Sequence, residues 1–128
     1  PGYQAPAERT TGHGTRVITA LIGILDGAFR AGRLAPAGRL APAGRPGPAV
    51  AAGLAGDLAK IRAEFGLAVP DDLLARGALA WTALFGAVSF EVFGQYGAGT
   101  FTAPEELFGH HLAVLADVAG LPAAGAAP

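Results

Sequence analysis

Residues 78–97, ALAWTALFGAVSFEVFGQYG, decide the fold of this 128-residue chain. They include the only Trp and the only Ser of the sequence, and Glu91 is their one charged residue. When this stretch and the turn before it are placed on an α-helix, the apolar residues fall on two faces. The first face contains Leu74, Trp81, Phe85, Val88, Val92 and Tyr96. The second face contains Leu79, Ala83, Gly86, Phe90, Phe93, Gly94 and Gly97. Because such a helix must be covered from both sides, we expect the chain's own first two helices on the first face and a second copy on the other.

Three other segments show the apolar spacing of a helix, and no segment alternates convincingly in the manner of a β-strand. The first helix is predicted from Thr15, a fair N-cap, to a stop at Gly32, after an irregular lead-in at residues 1–14. The second covers residues 48–65 and stops at Gly66. The third, which contains residues 78–97, opens at Pro70 and ends near residues 97–99. The fourth begins at a capping-box spacing in residues 102–105 and ends at residues 120–122.

These patterns predict an all-α, antiparallel domain of about four main helices over residues 1–122. The last two helices of each subunit are expected to form a four-helix bundle at a dimer interface. The sequence RLAPAG occurs at residues 33–38 and again at residues 39–44. Each copy contains a Pro that interrupts a helix, so a flexible loop is predicted at about residues 32–48. The Ala/Gly/Pro-rich tail at residues 123–128 is predicted to be disordered.

The composition excludes several classes of function. Nine Lys and Arg residues against ten Asp and Glu residues give a net charge of −1, which argues against a nucleic-acid or anionic-membrane surface. The absence of Cys excludes disulfides and thiolate sites. The two longest apolar runs, at residues 17–25 and 78–90, fall short of the roughly 20 residues of a membrane span. No signal-peptide pattern opens the chain, which favours a cytoplasmic location, and the start at Pro1 without Met indicates a fragment.

Candidate chemical groups are few. Glu106 and His110 lie one turn apart on the fourth helix, a spacing that can chelate a metal, but no third ligand accompanies them. Ser89 could act with His111 as a nucleophile and base, but it has no partner at a recognisable spacing. We therefore predict no catalytic residue, no metal and no cofactor. Two interpretations of Glu91 remain open, a ligand contact and a partly exposed position on the flank of the helix.

The sequence also offers an apolar pocket and an interface. The first three helices carry more aromatic and aliphatic surface than their mutual contact should consume, which predicts an apolar pocket between them. The residues predicted to line this pocket are Ile22, Leu25, Phe29, Leu58, Ile61, Trp81 and Phe85. Small residues and aromatic rings alternate on the second face of the third helix, and the fourth helix adds a matching apolar flank. The residues predicted for the dimer interface are Ala83, Gly86, Phe90, Phe93, Gly94, Gly97, Leu107, His111, Val114 and Val118.

Two segments resemble a known family. The run LAWTALFGAVSFEVFGQ at residues 79–95, followed by a short loop and a helix that ends LADVAGLP at residues 115–122, resembles the C-terminal half of TetR-family transcriptional regulators. The Pro1-Gly2-Tyr3 opening is similar to the linker that follows the first helices of the regulatory domain in many such proteins. The bias towards Ala, Gly, Pro and Arg is similar to that of members from high-GC bacteria.

The resemblance implies a homodimer that binds operator DNA through an N-terminal helix-turn-helix and is released by a small apolar effector, as a repressor. It also implies that the last two long helices of each subunit form the four-helix interface. This chain contains no helix-turn-helix, so operator binding is expected only through a missing N-terminal domain. Two alternatives remain at this point. A ligand-free helical dimerisation module would have no cavity between its helices, and a small all-α enzyme would show a buried, paired histidine and carboxylate in one cleft.

Overall fold

The structure is a computed structural model that describes residues 8–34 and 49–121. The described residues form four helices, α1 (Glu8–Arg30), α2 (Ala52–Phe65), α3 (Asp71–Val92) and α4 (Pro104–Val118), and contain no strand. The all-α prediction is therefore confirmed. Apart from residues 32–34, the predicted repeat loop at 32–48 lies outside the described residues, and so does the predicted tail at 123–128.

Helix α3 packs against each of the other three helices. Its first turns carry the core of the domain, because Leu73 and Leu74 are buried against residues of every other element. The remaining buried members of this cluster are Leu25 from α1, Leu58 from α2, Val69 from the α2–α3 connection and Ala119 just after α4. The core thus lies where α1 and α4 end and α3 begins, and it leaves the second half of α3 with less cover.

A buried carboxylate that the sequence analysis missed fixes the end of α1. Asp26 is 9% exposed, and its side chain accepts hydrogen bonds from the backbone N–H groups of Ala68 at 2.7 Å and Val69 at 3.3 Å. The Nε of Arg30 donates to the same carboxylate at 2.6 Å, and the Nη2 of Arg30 donates to the Gly66 carbonyl at 3.0 Å. The hydrogen bond from Arg30, helped by those from Ala68 and Val69, holds the pKa of Asp26 below its usual value. These contacts join α1 to the connection between α2 and α3.

The predicted boundaries of α1 and α2 are correct at some ends and wrong at others. The predicted start of α1 at Thr15 is wrong, because the helix begins at Glu8 and Thr15 lies inside it, with its carbonyl accepting a 2.7 Å hydrogen bond from Thr19. Glycines in the extra turns cost only about 1 kcal/mol each against Ala, which did not stop the helix. Helix α2 begins at Ala52 instead of Pro48, and it ends as predicted at Gly66, whose φ is +63°.

The predicted boundaries of the third and fourth helices are also only partly correct. Helix α3 begins at Asp71 after Pro70 as predicted, but it ends at Val92 because Gly94 adopts a left-handed conformation with φ of +63°. Helix α4 begins at Pro104 as the Pro predicted, yet its N-cap is Ala103, which makes no side-chain capping hydrogen bond. The predicted capping box is therefore wrong.

Helix α3 also corrects the expectation that no apolar segment reaches membrane length. With 22 residues it is long and apolar enough to cross a membrane, judged by length and composition alone, and it is the one such helix among those described. Its first turns are nevertheless tied to other helices. Asp71 pairs with Arg62 of α2, and Arg76 donates to Asp72 at 2.8 Å and to the Val118 carbonyl of α4 at 3.4 Å. The contacts with Arg62 and with the Val118 carbonyl tie the first turns of α3 to α2 and α4.

Candidate effector cavity and dimerisation surface

A cavity of about 390 Å³ opens beside the core, along the inner side of α3. Helices α1 and α4 form two of its walls, and α2 contributes Leu58 and Ile61. The lining residues of α1 are Ile18, Leu21, Ile22, Ile24 and Leu25, and those of α3 are Leu74, Gly77, Ala78, Ala80, Trp81 and Leu84. The lining residues at and after α4 are Leu112, Leu115, Ala116, Ala119 and Leu121.

The structure brings together five of the seven residues predicted for the pocket, namely Ile22, Leu25, Leu58, Ile61 and Trp81. Phe29 does not line the cavity, because it lies one turn further along α1 and packs partly buried against the core. Phe85 does not line it either and is 66% exposed. Phe85 lies one turn beyond Trp81 on nearly the same side of α3, and its exposure shows that the other helices no longer cover α3 at that point.

The fourth helix was missed as a wall of this cavity. The pocket was predicted between the first three helices, yet Leu112, Leu115 and Ala116 of α4 contribute to its lining. The spacing of these residues along α4 predicts a common apolar face, but it does not say which helix that face meets. Because these α4 residues contribute to the lining, the cavity lies between α1, α3 and α4.

The lining has almost no polar character. Among the described residues no charged side chain lines the cavity, and the indole N–H of Trp81 is the one side-chain hydrogen-bond donor. Such a site can hold an uncharged apolar molecule through the hydrophobic effect, with at most one directed hydrogen bond. It offers no acid, base or nucleophile for catalysis.

A second, smaller pocket of about 150 Å³ lies between the end of α3 and the beginning of α4. Glu91 and His111 both line it. Glu91 is exposed and His111 is half-buried, and within the described residues no hydrogen bond or ion pair joins them. Ser89 lines neither pocket. The buried, paired histidine and carboxylate that would have indicated an enzyme is therefore not formed by these residues. Glu106 and His110 are exposed on α4, and the described part of the chain holds no metal-ligating cluster of three or more residues.

The residues predicted for the interface lie on α3, in the turn after it and on α4. From Leu79, which shares their face, to Phe93 at the end of α3, these residues recur at intervals of four, three, four and three. This spacing is typical of a helix that packs lengthwise against a second helix. Leu79 is 59% exposed, Phe90 48% and Phe93 72%. We call the flank formed by Leu79, Phe90, Phe93 and Val114 the α3–α4 face. The remaining members have mixed exposure. Ala83, Gly86, Leu107, His111 and Val118 are half-buried, and Gly94 and Gly97 are exposed in the turn after α3.

The first face of α3 was expected to be covered by the chain's own first two helices, and this is correct only in part. Trp81 faces α1 across the large cavity, but Phe85, Val88 and Val92 are 66%, 43% and 70% exposed. The cause is the position of the core, because α1 approaches α3 most closely near its start. A Cβ added at Gly77 would meet Cδ2 of Leu25 at 2.7 Å. The second half of α3 is therefore uncovered on this side as well.

The all-α architecture and the resemblance of residues 79–95 and 115–122 point to a regulatory domain of the TetR type. Residues 1–115 match the family described as "Tetracyclin repressor-like, C-terminal domain", and the chain belongs to that family. It is the C-terminal regulatory domain of a transcriptional regulator, and members of the family are not enzymes.

Curated relatives agree with this assignment. The chain is 36% identical over 108 residues to HTH-type transcriptional regulator Rv1816 of Mycobacterium tuberculosis (strain H37Rv) and, to the same degree, to HTH-type transcriptional regulator Mb1846 of Mycobacterium bovis. Each match covers 84% of this chain and 42% of the relative. The chain thus spans less than half the length of the curated relatives it matches.

Proposed function

We propose that this domain binds a small, uncharged, apolar effector in the 390 Å³ cavity and forms a homodimer through the α3–α4 face. The protein that contains it would be a cytoplasmic repressor that holds operator DNA through an N-terminal helix-turn-helix and releases it when the effector binds. The observation that carries the proposal is the lining of the cavity, because every described residue that forms it is apolar or aromatic or a glycine. A ligand-free dimerisation module would not need such a space, and an empty apolar cavity lowers stability.

The volume of the cavity also indicates how large a part of the effector it can bury. At the roughly 30 Å³ that a water-sized group occupies in a liquid, its volume accommodates about 13 such groups. An aromatic or aliphatic molecule of about a dozen carbon atoms therefore fits, and a charged one is disfavoured because its charge would lose hydration without a partner.

The test is a thermal-shift and fluorescence titration of the chain with naphthalene, an uncharged molecule of this size. We expect naphthalene to raise the melting temperature by about 10 °C at a hundredfold excess over its Kd. It should also change the emission of Trp81, the only Trp of the chain and a residue of the lining.

A matched pair of variants on α4 tests the placement. Ala116→Phe fills the cavity, whereas Ala113→Phe adds the same ring at an exposed position three residues away. We expect Ala116→Phe to abolish both responses and Ala113→Phe to keep them. If Ala116→Phe responds to naphthalene as the unmodified chain does, the effector site lies elsewhere.

The homodimer rests on the exposed apolar surface of α3 and α4. Left in water, Leu79, Phe90 and Phe93 would form a continuous apolar patch of a kind that monomers rarely expose. Helices that carry apolar residues at alternating intervals of three and four pack side by side at small crossing angles, which gives a four-helix bundle when two such pairs meet.

A further inference from the structure

The 150 Å³ pocket on the α3–α4 pair has the size of one aromatic ring. An enclosed apolar cavity of about 150 Å³ is large enough to bind benzene, and here Glu91 and His111 are the polar residues in an otherwise mostly apolar and aromatic lining. The pocket is half open, so a ring from outside the subunit could enter it. Five of the residues that line it, Phe90, Gly94, Gly97, Leu107 and His111, are residues predicted for the dimer interface.

The chemistry of the walls favours an aromatic occupant over an aliphatic one. Phe90 and Tyr96 pack with their ring centroids 5.3 Å apart, and Tyr96 meets Phe101 edge to face at 5.1 Å. A further ring in the pocket would extend this cluster, and aromatic pairs gain free energy beyond their buried area. Gly94 and Gly97 have φ of +63° and +83°, a conformation that disfavours any side chain that would fill the space from within.

A ring of the required kind is exposed on the same surface. Phe93 is 72% exposed, more than any other large apolar side chain among the described residues. It lies three residues after Phe90 on the α3–α4 face, and it does not line the pocket of its own subunit. In a two-fold dimer each copy presents the same ring and the same pocket, so one contact is made twice.

We propose that Phe93 of the partner subunit inserts its ring into this pocket, and that this reciprocal contact anchors the dimer. The proposal rests on the proposed homodimer and adds to it the residue that holds the two copies together. Buried aromatic anchors in pockets near the centre of an interface carry most of the free energy of association.

The experiment compares two exposed phenylalanines, Phe93 at the end of α3 and Phe85 within it, by sedimentation equilibrium of the chain. Phe93→Ala removes the proposed anchor, and Phe85→Ala removes a ring that is 66% exposed but lies outside the α3–α4 face. Because the contact is made twice, we expect Phe93→Ala to raise the dimer Kd by at least about a hundredfold. Phe85→Ala should raise it by less than about threefold, and both variants should keep their helical circular dichroism, since both rings are exposed.

A rescue measurement assigns the ring to the pocket. If Phe93→Ala leaves two ring-sized pockets vacant, benzene at saturation should enter them and lower the dimer Kd of this variant by at least about tenfold. Benzene should not change the dimer Kd of Phe85→Ala. A Phe93→Ala dimer as tight as Phe85→Ala overturns the anchor while leaving the homodimer intact. A loss without recovery in benzene overturns the pocket as the binding site. An unmodified chain that is monomeric at micromolar concentration overturns the homodimer and the anchor together.

Discussion

Removal of the Asp26 carboxylate should destabilise the domain more than removal of any exposed acid. In Asp26→Ala the N–H groups of Ala68 and Val69 lose the acceptor that they reach at 2.7 and 3.3 Å, and Val69 is only 1% exposed. Each buried group left without a partner costs about 1–3 kcal/mol. Because Ala68 is exposed and water can replace its bond, we expect a total loss of about 3 kcal/mol. That is a large part of the roughly 5–15 kcal/mol that holds a typical domain together.

The assay is urea unfolding followed by circular dichroism at a fixed protein concentration, with Asp57→Ala as the control. Asp57 pairs with Lys60 at 2.9 Å, but both side chains are more than two-thirds exposed, so its removal should change the free energy of unfolding by less than about 0.5 kcal/mol. Since the pKa of Asp26 is lowered in the folded state, its ionic contribution is fully present above the unfolded pKa of about 3.9. This contribution is lost as the pH falls through the folded value. The gap between the unmodified chain and Asp26→Ala should therefore be largest at neutral pH and shrink below about pH 4. A loss at pH 7 no larger than that of Asp57→Ala, or a gap that grows with acid, would refute this reasoning.

Three further predictions follow from the same structure. The chain alone should show no sequence-specific binding to duplex DNA in gel shifts at physiological salt, because its net charge is −1 and no described helix is basic enough to read a groove. Phe90→Arg should give a folded monomer in light scattering, whereas Glu64→Arg, on the outer side of α2, should leave the dimer unchanged. Gly77→Ala should change the free energy of unfolding by less than about 0.5 kcal/mol, because the shift of Leu25 that the added methyl group requires offsets the gain in helix propensity. Gly56→Ala, with open space around it, should raise the free energy of unfolding by up to about 1 kcal/mol in the same urea assay.

Helix boundaries that are set by one or two residues could be predicted from the sequence. Pro70 and Asp71 opened α3 and Gly66 closed α2, because backbone restriction and a left-handed conformation act at single positions. The start of α1 could not be read in this way. Thr15 has the side chain of an N-cap, but a helix that has formed continues at little cost through residues that are only weakly unfavourable.

The sequence predicted which residues face the cavity, but it did not predict which helices enclose it. Helical spacing identified Ile22, Leu58 and Trp81 as inward-facing, and all three line the space. The wall from α4 was missed because spacing shows which residues share a face and not which helix lies opposite. Asp26 was missed for a related reason, since two of its partners are backbone N–H groups 42 and 43 residues further along the chain. No pattern in the sequence records such a contact.

The central claim, that an apolar molecule in the large cavity controls DNA binding, is tested most directly in a longer protein that carries this domain behind a helix-turn-helix. The measurement is operator affinity, by fluorescence anisotropy at fixed salt, with and without the compound that gives the largest thermal shift. We expect that compound to weaken operator binding by at least about fivefold, the lower range of allosteric coupling. Ala116→Phe, which fills the cavity, should bind the operator equally well with and without it. Release of the Ala116→Phe protein by the compound, or no release of the unmodified protein by any compound that stabilises the domain, would contradict the account.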